Sequence, residues 1–237
     1  TDSRSLNFPE ETLFFALTTK RNDGARYIAD LYARGVRNFV LSEESFRLMD
    51  NGQLTIDNAM QRDDAQSIVN YLIVPNPLKA LQKLAEQHRN RFQIPVIGIT
   101  GSNGKTVVKE WLHQLLSPER AIIRPPRSYN SQIGVPLSVW QMNEQSELAI
   151  FEAGISEPGE MRALQNIIKP TIGILTNIGG AHQENFFSLQ EKCMEKLTLF
   201  NDCEAIIYDG DDLFIANCIE SACLSHKRPS ILPTQNR

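Results

Sequence analysis

Residues 97–106 read Ile97-Gly98-Ile99-Thr100-Gly101-Ser102-Asn103-Gly104-Lys105-Thr106. A β-branched apolar run breaks into a glycine-rich turn and ends on Lys-Thr. The segment that follows carries Val107, Trp111, Leu112 and Leu115 at helical spacing, which predicts an amphipathic helix over 106–116 with that stripe turned inward. Strand, glycine turn, Lys-Thr and helix, in that order, are the setting of a phosphate-binding loop. Gly101 and Gly104 let the backbone fold tightly, so that successive N–H groups are expected to point inward at phosphate oxygens. The helix N-terminus adds partial positive charge. Lys105 is expected to reach the β- and γ-phosphates of a nucleoside triphosphate, and the Thr106 hydroxyl to ligate Mg²⁺. The spacing departs from G-x-x-x-x-G-K-[ST], because Ile99 stands where that pattern has a glycine. A plain βα turn followed by a chance Lys-Thr is the bland alternative.

Outward from this loop the chain alternates regularly. Apolar runs over 94–100, 120–124, 147–153, 171–177 and 204–208 suit buried strands, with a fresh strand at 230–232. Segments 106–116, 157–169, 189–200 and 212–224 have helical spacing. Short apolar strands alternating with amphipathic helices predict βαβ units and a mainly parallel sheet with helices on both faces. Upstream, 14–17, 39–42 and 71–75 read as strands and 25–34 as a helix that Gly35 stops. The fold class is therefore α/β. A small N-terminal α/β domain (1–76) is joined by a helix (77–94) to a P-loop domain (95–237), with Pro95 at the boundary.

The 237 residues carry 24 basic and 28 acidic side chains, a net charge of -4, and 41% hydrophobic residues. That composition excludes collagen-like and disordered classes. Mild acidity argues against a nucleic-acid partner, for which Lys227-Arg228 is too short a basic patch. No apolar run is long enough to insert in a membrane. The four cysteines, Cys193, Cys203, Cys218 and Cys223, form no CxxC pair and read as reduced, packed thiols. Thr1-Asp2-Ser3-Arg4 does not read as a signal peptide.

In an open parallel sheet all strand C-termini line one edge, and ligands bind there. Glu152 ends one expected strand, Asn177 ends another, and His182 lies in the loop beyond. Thr106, Glu152 and His182 can therefore converge on one crevice. Oxygen ligands such as Thr106 and Glu152 suit Mg²⁺. Each has an ordinary alternative: a strand-end surface carboxylate for Glu152, a loop histidine for His182.

Thr100-Gly101-Ser102-Asn103-Gly104-Lys105-Thr106 has the form of P-loop found in the Mur ligases and folylpolyglutamate synthases. The resemblance extends along the chain. Asp2-Ser3-Arg4, Phe14-Phe15-Ala16-Leu17 and Asn22-Asp23-Gly24 are similar to the uridine-nucleotide-binding domain of the MurE and MurF types. Asn130-Ser131-Gln132-Ile133-Gly134-Val135-Pro136 resembles a MurF segment. Glu152-Ala153-Gly154 with Pro158-Gly159-Glu160, and Thr176-Asn177-Ile178-Gly179-Gly180-Ala181-His182, resemble the next two blocks.

The resemblance implies a cytoplasmic, ATP- and Mg²⁺-dependent ligase that adds D-alanyl-D-alanine to UDP-N-acetylmuramoyl-tripeptide during peptidoglycan precursor synthesis. Phosphorylation by ATP converts the acceptor carboxylate into an acyl phosphate, which the dipeptide amine attacks. It also implies that Ser3, Arg4, Asn22 and Asp23 hold the UDP-sugar, that Asn130 faces substrate, and that His182 ligates a second magnesium. Lys196 corresponds to a lysine carbamoylated in many Mur ligases; Lys192 is close enough to be confused with it, and an exposed helix lysine is the plain reading. Asn22-Asp23-Gly24 is equally a simple turn. The family's C-terminal domain is not represented in the sequence, so the 237-residue piece is expected to bind UDP-sugar weakly without turnover. Some members continue into an alanine racemase domain. A MurE-type ligase, a folylpolyglutamate synthase and a nucleotide-binding module that does not ligate are the other readings.

Overall fold

The computed structural model describes residues 6–19, 22–50, 69–180, 185–222, 224 and 228–232. The chain divides into two compact units, Thr1–Leu81 and Gln82–Arg237.

In the first unit the elements run β1 (Leu13–Phe15), β2 (Thr18–Thr19), β3 (Asn22–Asp23), a 3₁₀ turn (Gly24–Tyr27), α1 (Ile28–Ala33), β4 (Asn38–Ser42), α2 (Glu43–Asp50) and β5 (Asn70–Val74). Strands β1, β4 and β5 form a parallel sheet in that order. Phe14, Phe39 and Leu41 of the sheet pack on Ile28 and Leu31 of α1. The sequence reading passed over α2, although Ser42 marks its start: the Ser42 hydroxyl accepts from Ser45 N at 3.1 Å, a side-chain cap ahead of Glu43-Glu44. Helix α3 (Pro77–Arg89) carries the chain across the boundary between the units.

The second unit continues with β6 (Val96–Thr100), α4 (Lys105–Leu116), β7 (Ile122–Ile123), α5 (Gly134–Val139), β8 (Leu148–Glu152), α6 (Glu160–Ile168), β9 (Ile172–Leu175), α7 (Leu189–Leu197), β10 (Ala205–Asp209), α8 (Leu213–Ser221) and β11 (Arg228–Leu232). The six strands form one parallel sheet in the order β11-β10-β9-β6-β8-β7. Period-two alternation sends side chains to both faces. Val96, Ala149, Phe151 and Leu175 join α5, α6, α7 and α8 in the larger core. Ile97, Ile99, Leu148 and Ile150 meet Val108, Leu112 and Leu116 of α4 on the opposite face. Cys193, Cys203 and Cys218 are buried and not in disulfides, and Cys223 lies outside the described residues.

Two details differ from the sequence reading. The stripe expected to face inward on α4 is partly wrong: Leu112 does pack on the sheet, but Val107, Trp111 and Leu115 are 50%, 63% and 74% exposed. The helix is rotated so that Lys109, a polar residue, occupies the inward arc beside Val108, Leu112 and Leu116. An apolar pattern cannot reveal a helix phase fixed by a buried charge. Helix α5 is not among the expected elements; Gly134 and Pro136 lie in its first turn, where proline is tolerated.

Candidate functional site: a phosphate loop braced from three strands

Strand β6 lies between β8 and β9, so the loop after it opens at the C-terminal edge of the sheet with a strand end on each side. Gly101 has φ +140°, and a Cβ there would fall 2.0 Å from Thr176 Oγ1. Only glycine allows that close approach. Gly104, at φ +79°, precedes α4 without a side-chain cap. The first intrahelical bond runs from Val108 N to Gly104 O, so the leading N–H groups of Lys105 and Thr106 have no acceptor within the helix. Such an end, with its share of the helix dipole, favours an anion.

The segment after β9 braces the loop from behind. Asn177 O accepts from Ser102 N at 2.9 Å, and Asn177 Oδ1 accepts from Asn103 N at 3.0 Å. Thr176 Oγ1 donates to Asn103 O at 2.6 Å, and Gly179 N donates to Ser102 Oγ at 2.8 Å. Asn177 therefore shapes the loop by taking the Ser102 and Asn103 N–H groups, so these two do not face phosphate as the glycine turn led one to expect, and the leading N–H groups of α4 are left to meet an anion.

Lysines gather round the same turn. Lys105 Nζ donates to Gly101 O at 2.9 Å and Ser102 O at 3.4 Å. Lys196, nearly fully buried on α7, donates to the same Gly101 O at 3.2 Å. Lys192, also on α7 and buried, donates to Gly179 O. Burial lowers the Lys105 pKa; Glu152 opposes that shift and Lys192 adds to it. Burial, then Lys105 and Lys192, lowers the Lys196 pKa to about 8. Mutual repulsion among three ammonium groups marks a positive field into which a polyanion fits.

On the β8 side, Glu152 is fully buried and its two oxygens have separate partners. Oε2 accepts from Thr106 Oγ1 at 2.9 Å and from Ser128 Oγ at 3.3 Å. Oε1 is ion-paired with Lys109 Nζ at 3.0 Å. Lys109 also donates to Pro125 O and Arg127 O, each at 3.0 Å, and lies 3.3 Å from Glu110 Oε1. Asn130 donates from Nδ2 to Ser128 Oγ at 3.0 Å, and its carbonyl accepts from Gly154 N at 2.8 Å.

The structure thus brings Gly101, Ser102, Asn103, Gly104, Lys105, Thr106, Glu152, Asn177 and Lys196 to one sheet edge, with Asn130 linked to Glu152 through Ser128. His182 lies outside the described residues, as do Ser3 and Arg4. Asn22 pairs with Thr19 in the β2–β3 ladder. Asp23 caps the 3₁₀ turn, accepting from Ala25 N at 3.0 Å, Thr18 Oγ1 at 3.3 Å and Ser45 Oγ at 3.1 Å, so its carboxylate is engaged in shaping its own turn. Lys109 and Ser128 escaped the sequence reading. Three-residue spacing from Thr106 could have flagged Lys109; Ser128 sits in an irregular loop and gives no local signal. Among the described residues no three His, Cys, Asp or Glu side chains converge as a metal-ligand set. The Thr106 hydroxyl and Glu152 carboxylate are nevertheless hard oxygen donors beside the anion-favouring turn, a combination that fits a hydrated Mg²⁺ bridging to phosphate.

Residues 99–228 match the family model of the Mur ligase middle domain. The UDP-N-acetylmuramoyl-tripeptide–D-alanyl-D-alanine ligase of Borreliella burgdorferi is 33% identical over 225 residues, covering 94% of this chain and 45% of that protein. The protein of the same name from Bacillus subtilis is 30% identical over 220 residues, covering 92% and 44%. The crystal structure of MurF from Acinetobacter baumannii superposes with a TM-score of 0.76 at 27% identity, covering 98% of this chain and 46% of that one. The chain spans about half the length of the curated relatives it matches.

Proposed function

The chain belongs to the Mur ligase family, and from that premise we propose that it is the front part of a MurF-type ligase, which uses ATP and Mg²⁺ to join D-alanyl-D-alanine to UDP-N-acetylmuramoyl-tripeptide. The observation that carries this reading is the open start of α4, which follows the glycine turn and sets Thr106 against the buried Glu152 carboxylate. The names of the two curated relatives support the substrate class.

In this reading the unit containing β1–β5 holds the UDP-sugar, with Ser3, Arg4, Asn22 and Asp23 as the candidate residues, and residues 95–237 hold ATP. Asn130 faces the substrate beside Gly154. Lys105 leaves the loop carbonyls for the β- and γ-phosphates and neutralises charge during phosphoryl transfer, a reaction governed by positioning and electrostatics. Asn177 keeps the turn in its phosphate-binding shape. Thr106 and Glu152 hold one magnesium; His182 and a carbamate on Lys196 hold a second. Bound magnesium supplies Lewis-acid neutralisation of the phosphate oxygens. The buried position of Lys196 favours its neutral amine, the form that reacts with carbon dioxide. Among the described residues no helix is long and apolar enough to cross a membrane.

Calorimetric titration of ATP into the chain tests the reading, followed by phosphate release with UDP-N-acetylmuramoyl-tripeptide and either D-alanyl-D-alanine or single amino acids. Saturable Mg²⁺-dependent heat is expected. Absence of that heat removes the proposal. Amide formation by the 237-residue stretch alone would show that it needs no further chain, contrary to the expectation of binding without turnover.

A further inference from the structure

One helix holds both oxygens of Glu152. Thr106 and Lys109 are three residues apart on α4 and therefore share a face. The hydroxyl of the first meets Oε2 at 2.9 Å and the ammonium of the second meets Oε1 at 3.0 Å. A hydrogen bond to one oxygen and an ion pair to the other, both from one rigid element, bias the rotation of the carboxylate as well as its position; Oε1 accepts no hydrogen bond, so the Lys109 contact is electrostatic. Both Lys109 and Glu152 are fully buried. A buried ion pair is a poor source of stability, since an apolar pair of similar volume does as well or better, so its presence beside the phosphate loop calls for another role. The remaining Lys109 bonds, to Pro125 O and Arg127 O, tie in the loop that brings Ser128 to Oε2 at 3.3 Å.

We propose that Lys109 is a positioning residue for the metal site: by occupying Oε1 and anchoring residues 125–128, it keeps Oε2 turned toward Thr106, where a nucleotide-bound divalent cation is ligated. The inference rests on the ligase reading and adds to it a residue that never touches the nucleotide. Its ammonium acts on the cation only through Glu152. Groups that orient a metal ligand from behind change metal affinity by about 10- to 100-fold when removed.

The test is ATP calorimetry on the 237-residue chain across a Mg²⁺ series that includes a metal-free point, with thermal unfolding recorded for each variant. For K109M the Mg²⁺-dependent gain in ATP affinity is expected to fall by about 10- to 100-fold, while metal-free ATP affinity stays at the wild-type value. In an E152Q background, adding K109M is expected to cause no further loss, because the route through the carboxylate is already cut. A general packing defect would lower metal-free binding and would add to E152Q. A folded K109M with the wild-type Mg²⁺ response, or an additive loss in the double variant, overturns the proposal. Should K109M fail to fold, K109R keeps the charge but replaces the compact ammonium with a planar group. It is expected to fold with a weakened Mg²⁺ response, and a wild-type response in K109R overturns the proposal. If the wild-type chain gives no ATP heat, the ligase reading falls and the Lys109 role falls with it. Normal wild-type binding with an unchanged K109M response removes the Lys109 role alone.

Discussion

Thr106 and Glu152 are 46 residues apart in sequence, yet the hydroxyl of one donates to the carboxylate of the other over 2.9 Å. The parallel sheet makes this possible, because β6 and β8 are neighbours and both end at the same edge. The glycine turn and a buried carboxylate are thereby set side by side by strand order.

Lys105→Ala is expected to weaken ATP binding by roughly ten- to hundredfold, the value of about 1.5–3 kcal/mol for a hydrogen bond to a charged group. The chain should fold normally, since the part-buried Lys105 ammonium bonds to loop carbonyls rather than into either apolar core. Calorimetry with a parallel circular-dichroism melt checks both halves.

Gly101→Ala and Gly104→Ala should differ. At Gly101 a methyl group meets Thr176 Oγ1 at 2.0 Å and Asn177 O at 3.0 Å, at φ +140°, whereas at Gly104 the nearest atom is Thr176 Cβ at 4.0 Å. The first substitution adds overpacking of about 1–3 kcal/mol to the backbone strain; the second costs only the strain of about 1–2 kcal/mol. Urea midpoints of the two variants should rank in that order, and equal midpoints would contradict the packing seen at Thr176.

The Lys196 pKa is about 8 in the folded chain against an ordinary 10.5. A lowered lysine pKa means that folding disfavours the ammonium, so the unfolded chain binds more protons. The cost is fully present below about pH 8 and is relieved as pH rises toward 10.5. Cys193 works in the opposite direction above its ordinary value of 9.0, because burial raises its pKa. The stability difference between wild type and Lys196→Met isolates the lysine. The variant should be the more stable by about a few kcal/mol near pH 7, with the gap narrowing as pH rises from about 8 toward 10.5. In ¹³C-bicarbonate the wild-type chain should show a carbamate carbon resonance that the variant lacks.

His182→Ala should raise the Mg²⁺ concentration that gives half-maximal tightening of ATP binding. An unchanged magnesium titration would remove His182 from the metal site.

The sequence disclosed what is local or strictly periodic. Residues 97–106 carry strand, turn and helix start in ten consecutive positions, and the alternating β6, β8 and β9 segments dictate a sheet buried on both faces. The site residues at strand ends were accessible for the same reason: in a parallel sheet, position along the chain already fixes the edge. Lys109 was not legible, because a buried lysine interrupts the apolar period that identifies the inner face of α4, and its partner is a carboxylate 43 positions away (152 − 109). Nor did local signals disclose Ser128, whose place depends on the Lys109 bonds to its loop. Asn177 illustrates a different limit. Its position at the end of β9 could be read, but its task of holding the Ser102 and Asn103 N–H groups depends on loop conformation.

The bond from Lys196 to Gly101 closes a span of 95 residues, and that from Ser102 to Gly179 one of 77. A polypeptide leaves the ribosome N-terminus first, so the glycine turn emerges well before these two distant partners, and the neighbouring Lys105 is the first to reach its carbonyls. The full bracing of the turn is a late event of synthesis, complete once α7 has been made and docked.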